Sequence, residues 1–212
     1  MNSSTDVFEI MHSTRSMRRL KPDPVPDELI ARILEAGLSA ANGGNVQSWR
    51  FMVVKDRQIK QDVQRYYKQA FDETVGPRYR GEPPAGVTKE RYTRQGSAVE
   101  YLTEHFADAP VWIIACLEEA TSGRASGASI YPAVQNMLLA IRALGLGSTL
   151  TTRHLLHESE TERILGLPPN VHSYAILPIG YPMGKFGPVS RRSMTDVVFG
   201  DRYGQAWSGL KG

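Results

Sequence analysis

Apolar residues along this chain recur either every three to four positions or in short unbroken runs, and the switches between the two patterns mark its elements. Over 26–41, Leu29, Ile30, Ile33, Leu34, Leu38 and Ala41 fall on one helical stripe. Asp27 and Glu28 stand at its start, where the helix dipole favours negative charge. Asn42-Gly43-Gly44-Asn45 is expected to stop this helix, since both residue types tolerate positive φ. Further helices are predicted over 59–72 and 97–107. The most regular lies over 129–144, with Ile130, Ala133, Val134, Met137, Leu138 and Ile141 in one stripe and Gly145-Leu146-Gly147 ending it. A short helix over 158–165 should end at Gly166. The runs 51–54, 111–116 and 174–179 read as buried strands, and Ser148 to Thr152 as another. Strands that are few and widely spaced among helices point to α+β or α/β architecture around a central sheet.

Two stretches carry neither period. Residues 76–96 are charged and punctuated by Gly76-Pro77, Gly81, Pro83-Pro84, Gly86 and Gly96. They read as a long variable loop, with room for a short helix, and loops of that length often serve as lids. Residues 183–212 read as a tail. There is no internal repeat or low-complexity tract, and 212 residues suit a single domain, 1–212.

Composition changes this picture little. Hydrophobic residues make up 41 %, enough for a core, and the net charge is only +3, from 25 Lys and Arg against 22 Asp and Glu. The dense basic clusters are Arg15-Ser16-Met17-Arg18-Arg19 and Arg191-Arg192. Two short clusters far apart suit a small anionic ligand better than a nucleic-acid duplex, although paired arginines are also ordinary solvated surface. The single cysteine, Cys116, lies in a buried-strand run and reads as a core residue. The N-terminus lacks a basic segment followed by an apolar one, and no apolar run approaches the ~20 residues of a bilayer span. The expectation is a soluble cytoplasmic protein with no membrane or nucleic-acid partner.

The candidate chemistry is scattered. In Arg15-Ser16-Met17-Arg18 a hydroxyl beside two guanidinium groups can hold a phosphate. In the segment from Asn42 to Trp49, two glycines allow close approach to a flat ligand, and Asn45 and Gln47 supply amides. Gly145-x-Gly147 ends a helix and precedes a strand, the reverse of a dinucleotide fingerprint. Thr149, Thr151 and Thr152 supply hydroxyls, or serve simply as strand residues. His154 and His157 have no third ligand in pattern, so no metal site is expected. Neither a Gly-x-Ser-x-Gly nor a Walker-type loop occurs.

The order of these segments is more informative than any one of them. Arg15-Ser16-x-Arg18, Ala41 to Trp49, Gln135 to Ala140 followed by Ala143 to Ser148, Leu177 to Pro182, and Arg191 to Val198 together resemble the nitroreductase (FMN-dependent oxidoreductase) superfamily. The chain departs from the family pattern at Ala41-Asn42, in place of Pro-Ser, at Ser48, in place of Pro, and at Ser190, where lysine is frequent. The resemblance implies an α+β nitroreductase-like fold, with a mixed or antiparallel central sheet flanked by helices. It also implies a homodimer in which the 183–212 extension wraps the partner. Arg15, Ser16 and Arg192 would then bind the FMN phosphate, with Met17 between them and Arg18 at the N1/O2 edge of the ring. Asn42, Gly43, Gly44 and Asn45 would line the flavin, and Leu150, Thr151 and Thr152 would pass near N5, with Thr152 as the catalytic candidate. The implied activity is NAD(P)H-dependent reduction of nitroaromatic, quinone or related small molecules by a ping-pong mechanism. Reductive dehalogenation, flavin reduction and non-catalytic flavin binding are the alternatives on the same scaffold.

Overall fold

The computed structural model describes residues 6–119 and 124–210. Residues 1–5, on which the reading of the N-terminus partly rests, and 211–212 of the expected extension lie outside them. The chain runs through α1 (Val7–Ser13), α2 (Asp27–Leu38), β1 (Trp49–Val54), α3 (Arg57–Ala70), α4 (Gly76–Arg80), α5 (Lys89–Glu104) and β2 (Val111–Glu118). It continues through α6 (Arg124–Ala143), β3 (Gly147–Ser148), α7 (Glu158–Leu165) and β4 (Val171–Gly180). The strands form one sheet in the order β1-β2-β4-β3, antiparallel throughout, so the fold is α+β.

The central strand β2 feeds two cores, because successive side chains leave opposite faces of a sheet. Val111, Ile113, Ala115 and Leu117 pack with Ile33 of α2 and Val134 and Met137 of α6. Trp112, Ile114 and Cys116 pack with Val63 and Tyr67 of α3, Leu102 of α5 and Phe106. Helices cover both faces, which is why β2 is a continuous apolar run and not an alternating one.

Several boundaries move. α2 ends at Leu38, where the Ser39 N–H and hydroxyl both reach the Glu35 carbonyl. Asn42 to Asn45 therefore does not stop the helix; it forms a separate short turn, with Gly44 and Asn45 at positive φ. The expected strand from Ser148 to Thr152 shrinks to β3 plus one isolated bridge, Thr151 to Ile176.

The largest correction falls on 76–96. This stretch is not a long loop: α4 occupies 76–80 with Pro77 in its first turn, where proline is tolerated, and α5 starts at Lys89 with Thr88 as its cap. The buried stripe of α5 is Tyr92, Gly96, Val99 and Leu102. Gly96 is a packing position there, since a Cβ would sit 3.1 Å from the Tyr79 ring. Between Phe71 and Val75 the chain takes one π-helical turn.

Candidate functional site

The segment between α1 and α2 is clamped against β3 and the chain just beyond β4. The Met17 N–H donates to the Ser148 carbonyl at 2.8 Å and the Lys21 N–H to the Tyr181 carbonyl at 2.8 Å. Gly147 permits the approach, because a Cβ there would meet Met17 and Leu20 side chains at 3.0 Å. Met17 and Leu20 turn into the core while Arg15 and Ser16 stay exposed. Met17 can thus offer a ligand only its main chain, and its side chain is a core residue.

Two cavities meet along this segment, and a third adjoins the first at Leu150. The first, ≈ 220 Å³, is walled by Arg15, Ser16, Arg191, Gln135, Ser148 and Leu150 among others. The second, ≈ 620 Å³, shares Arg15, Ser16 and Arg191 and extends past Arg18 to α5. The third, ≈ 530 Å³, shares Leu150 and continues through Thr151 and Thr152 to an apolar wall of Val75, Leu155 and Leu156. The structure thereby brings Arg15, Ser16, Arg18, Leu150, Thr151 and Thr152 to adjoining cavities.

It places the other expected residues elsewhere. Arg191, not its neighbour Arg192, lines the first two cavities. In an extended chain adjacent side chains diverge, so one arginine of the pair faces in and the other out. Asn42 to Asn45 lies outside all three cavities, tied to α6 by the bond from the Gly43 N–H to the Ser129 hydroxyl, 3.2 Å. Sequence reasoning marks the Arg191-Arg192 pair but picks Arg192 from it, and it assigns Ser148 no role. The signal for Arg191 was the arginine pair itself; for Ser148 it was only a serine following Gly147.

The electrostatics are one-sided. Arg15, Arg18 and Arg191 make no ion pair with a carboxylate among the described residues. Ser148 is 4 % exposed, and its Oγ has no hydrogen-bond partner among the described residues. A buried hydroxyl in that condition costs about 1–3 kcal/mol unless something bonds to it. Three guanidinium groups, the Ser16 hydroxyl and this orphan Oγ suit a phosphate ester on a polyhydroxyl chain.

The floor of the third cavity is rigid. The Tyr67 hydroxyl and Thr151 Oγ1 are 2.9 Å apart. Arg153 lies over the rings of Tyr67 and Phe71, 4.2 and 5.2 Å from their centroids, and donates to Thr103 Oγ1 at 2.6 Å. Burial pushes the Arg153 pKa down, and nearby Arg18 adds to that; burial also raises the Tyr67 pKa. Thr152, by contrast, is exposed and caps the following 3-10 turn without using its side chain. Its hydroxyl is free to face the cavity.

Other chemistry-bearing groups stand apart. Cys116 is fully buried with its thiol pushed up to about 12, which makes it a core residue and a poor nucleophile. Glu158, Glu162 and His172 bring ligand-type atoms within 4.8 Å of one another, but Glu162 already accepts from the Ser173 N–H and hydroxyl. Among the described residues, no helix is long and apolar enough to cross a membrane.

Comparison with known proteins gives a consistent answer. The sequence pattern of the Nitroreductase family matches residues 11–181. A protein of Thermus thermophilus described as NADH dehydrogenase is 32 % identical over 207 residues, covering 87 % of this chain and 90 % of that protein. An iodotyrosine deiodinase of Thermotoga neapolitana is 27 % identical over 83 % of this chain and 88 % of its own length. Among solved structures, a nitroreductase of Desulfitobacterium hafniense with bound FMN superposes with a TM-score of 0.69, at 21 % identity, over 95 % of this chain and 100 % of that one.

Proposed function

Since the chain belongs to the nitroreductase family of oxidoreductases, we propose that it is an FMN-dependent NAD(P)H oxidoreductase reducing nitroaromatic, quinone or related organic acceptors by a ping-pong mechanism. The observation that carries this reading is the cavity shared by Arg15, Ser16, Arg191 and the orphaned Ser148 hydroxyl. Arg15 and Arg191 would clamp the FMN phosphate with charge-assisted bonds, and Ser16 would add a hydroxyl. The Ser148 Oγ and the Gln135 amide would take the ribityl hydroxyls. Arg18 would set a fixed positive charge at the N1/O2 edge, where reduction places negative charge. Bound there, FMN would supply the two-electron carrier between nicotinamide and acceptor. Leu150 to Thr152 would line its reactive edge, and the apolar wall of Val75, Leu155 and Leu156 would exclude water around the acceptor.

The same reading makes the protein a homodimer. Asn42 to Asn45 would complete the partner's flavin site, which accounts for its place outside the cleft of its own chain. Phe8 of α1 is 67 % exposed, and the 183–210 segment exposes Met194, Val197, Tyr203 and Trp207. Large apolar side chains exposed along these two segments support a subunit contact. The deiodinase relative and the free Thr152 hydroxyl favour a second reading, reductive dehalogenation at the same cleft.

The deciding experiment is the visible spectrum of the pure protein, its bleaching by NADH or NADPH, and the acceptor that restores it. A yellow, bleachable dimer whose heat-released flavin is FMN is expected. A colourless protein that FMN cannot reconstitute overturns the proposal, and turnover with an iodophenol but not with menadione or nitrofurazone selects the second reading.

A further inference from the structure

The larger cavity holds more positive charge than one flavin phosphate can use. Besides Arg15, Arg18 and Arg191 it is lined by Arg91, Arg94 and Gln95 of α5, and no Asp or Glu lines it. Positions 91, 94, 95 and 98 share one helical face. The opposite face, with Tyr92, Gly96 and Val99, is locked into the protein, so α5 presents the two arginines from a fixed support. Some exposed basic residues elsewhere are paired. Arg57 pairs with Asp108 at 3.6 Å, Arg65 with Asp62 at 2.7 Å and Lys68 with Glu104 at 2.8 Å. Arg91 and Arg94 make no ion pair among the described residues, although Glu90 and Glu100 stand on the same helix.

A phosphate monoester carries about two negative charges. Arg15 and Arg191, which line both the small and the large cavity, match that charge, and Arg18 lines only the larger one. Arg91 and Arg94 line only the larger cavity. We propose that Arg91 and Arg94 form an anion subsite at the α5 end of the cleft, which binds an oxyanion on the second ligand, the one that exchanges electrons with the flavin. This rests on the FMN reading for the occupancy of Arg15 and Arg191. Two sources share the required chemistry, the 2′-phosphate of the nicotinamide reductant and a carboxylate on the acceptor.

Calorimetric titration of the purified protein separates them with two matched pairs, NADP+ against NAD+ and 4-nitrobenzoate against nitrobenzene. At least one anionic member should bind about tenfold more tightly than its partner, as expected of charge-assisted bonds, and the preference should weaken with added salt. Arg91→Ala and Arg94→Ala should each erode the preference, and the double variant should bring it to within about twofold of parity, while Lys at either position keeps part of it. Arg57→Ala, at a surface position outside the cavity, should leave it unchanged. Which pair responds identifies the source. Equal binding within both pairs, or a preference that survives the double substitution, overturns the proposal. Flavin content, read from the same samples, keeps the two readings apart. A protein that FMN cannot reconstitute but that still discriminates sinks the FMN assignment alone, and a flavin-loaded one that does not discriminate sinks the subsite alone.

Discussion

From Val111 to Leu117 no side chain of β2 is more than 1 % exposed, and two buried polar side chains beside it are hydrogen-bonded. The Trp112 indole donates to the Phe106 carbonyl at 3.1 Å, and the Lys60 ammonium, 4 % exposed, donates to the Ala109 carbonyl at 2.6 Å. The rim formed by α1, the Arg15–Arg18 segment and the chain beyond β4 is the opposite. It leaves guanidinium groups without counter-charges, a buried hydroxyl without a bond, and Tyr203 92 % exposed. The same chain thus builds a closely packed interior and a rim that leaves charged and polar groups open to a ligand. Stability should reside in the first region and binding in the second.

The hardest test of that division is Trp112→Ala. Trp112 is fully buried, lies against Phe106 with ring centroids 4.2 Å apart and planes tilted by 33°, and fills the second core. Removing it should cost about 3–5 kcal/mol of unfolding free energy in urea titrations. A loss below about 1 kcal/mol would mean that this core is not where stability lies.

His154 tests the seam, since it is buried in the turn that begins just after Thr152. Burial holds its pKa down to about 4. The Ser173 hydroxyl donates to Glu162 at 3.1 Å and so accepts from His154 Nε2 at 3.2 Å, leaving Nδ1 without a partner among the described residues. In the unfolded chain a histidine titrates near 6.5. Between these values the unfolded state holds a proton that the native state lacks. Stability should therefore fall as pH drops from about 6.5 towards 4, by up to roughly 3 kcal/mol. His154→Gln should flatten that slope in urea titrations at a series of pH values; an unchanged slope would assign the acid sensitivity to other groups.

A smaller effect belongs to the rim. Arg191→Ala should weaken FMN binding by about 1.5–3 kcal/mol, roughly ten- to a hundredfold, as loss of a charge-assisted bond does. Arg192→Ala should stay within severalfold, because only Arg191 lines the cavities. Fluorescence titration of the apoprotein with FMN compares them directly. If Arg192→Ala does the greater damage, the register of the chain past β4 changes when FMN binds.

That pair also shows how far the sequence could be read. β2, α6 and β4 were legible because their apolar patterns are long and both faces of the sheet are covered. The second half of α5 was legible as the helix predicted over 97–107, but its first half was hidden because the buried stripe includes Gly96, and a glycine that packs against Tyr79 looks the same in sequence as one that breaks a helix. With residues 89–96 of α5 read as loop, the shared face of Arg91 and Arg94 was invisible too. Arg15, Ser16 and Arg18 were found from motif order, whereas the choice between Arg191 and Arg192 depends on which way an extended segment turns, and a degenerate motif does not encode that.

The smallest expected effect distinguishes two adjacent threonines. Thr151 spends its hydroxyl on Tyr67, at 2.9 Å, and is part of the support. Thr152 lines the cavity with a hydroxyl not used for capping. A hydroxyl can donate or accept by rotating, whereas a backbone N–H can only donate. Placed at flavin N5, Thr152 could follow that atom as it changes from acceptor to donor during reduction. The hypothesis is that this hydroxyl widens the separation between the two one-electron midpoint potentials of the bound flavin. One hydrogen bond nets about 0.5–1.5 kcal/mol, which for a one-electron couple is a few tens of millivolts. Thr152→Ala should narrow the separation by that amount with FMN still bound, and Thr152→Ser should restore it. Thr151→Ala should act instead on stability, by freeing Tyr67, and leave the potentials nearly unmoved. Identical potentials in wild type and Thr152→Ala would place this hydroxyl away from N5; a shift in Thr151→Ala alone would mean that the support, and not the free hydroxyl, tunes the flavin.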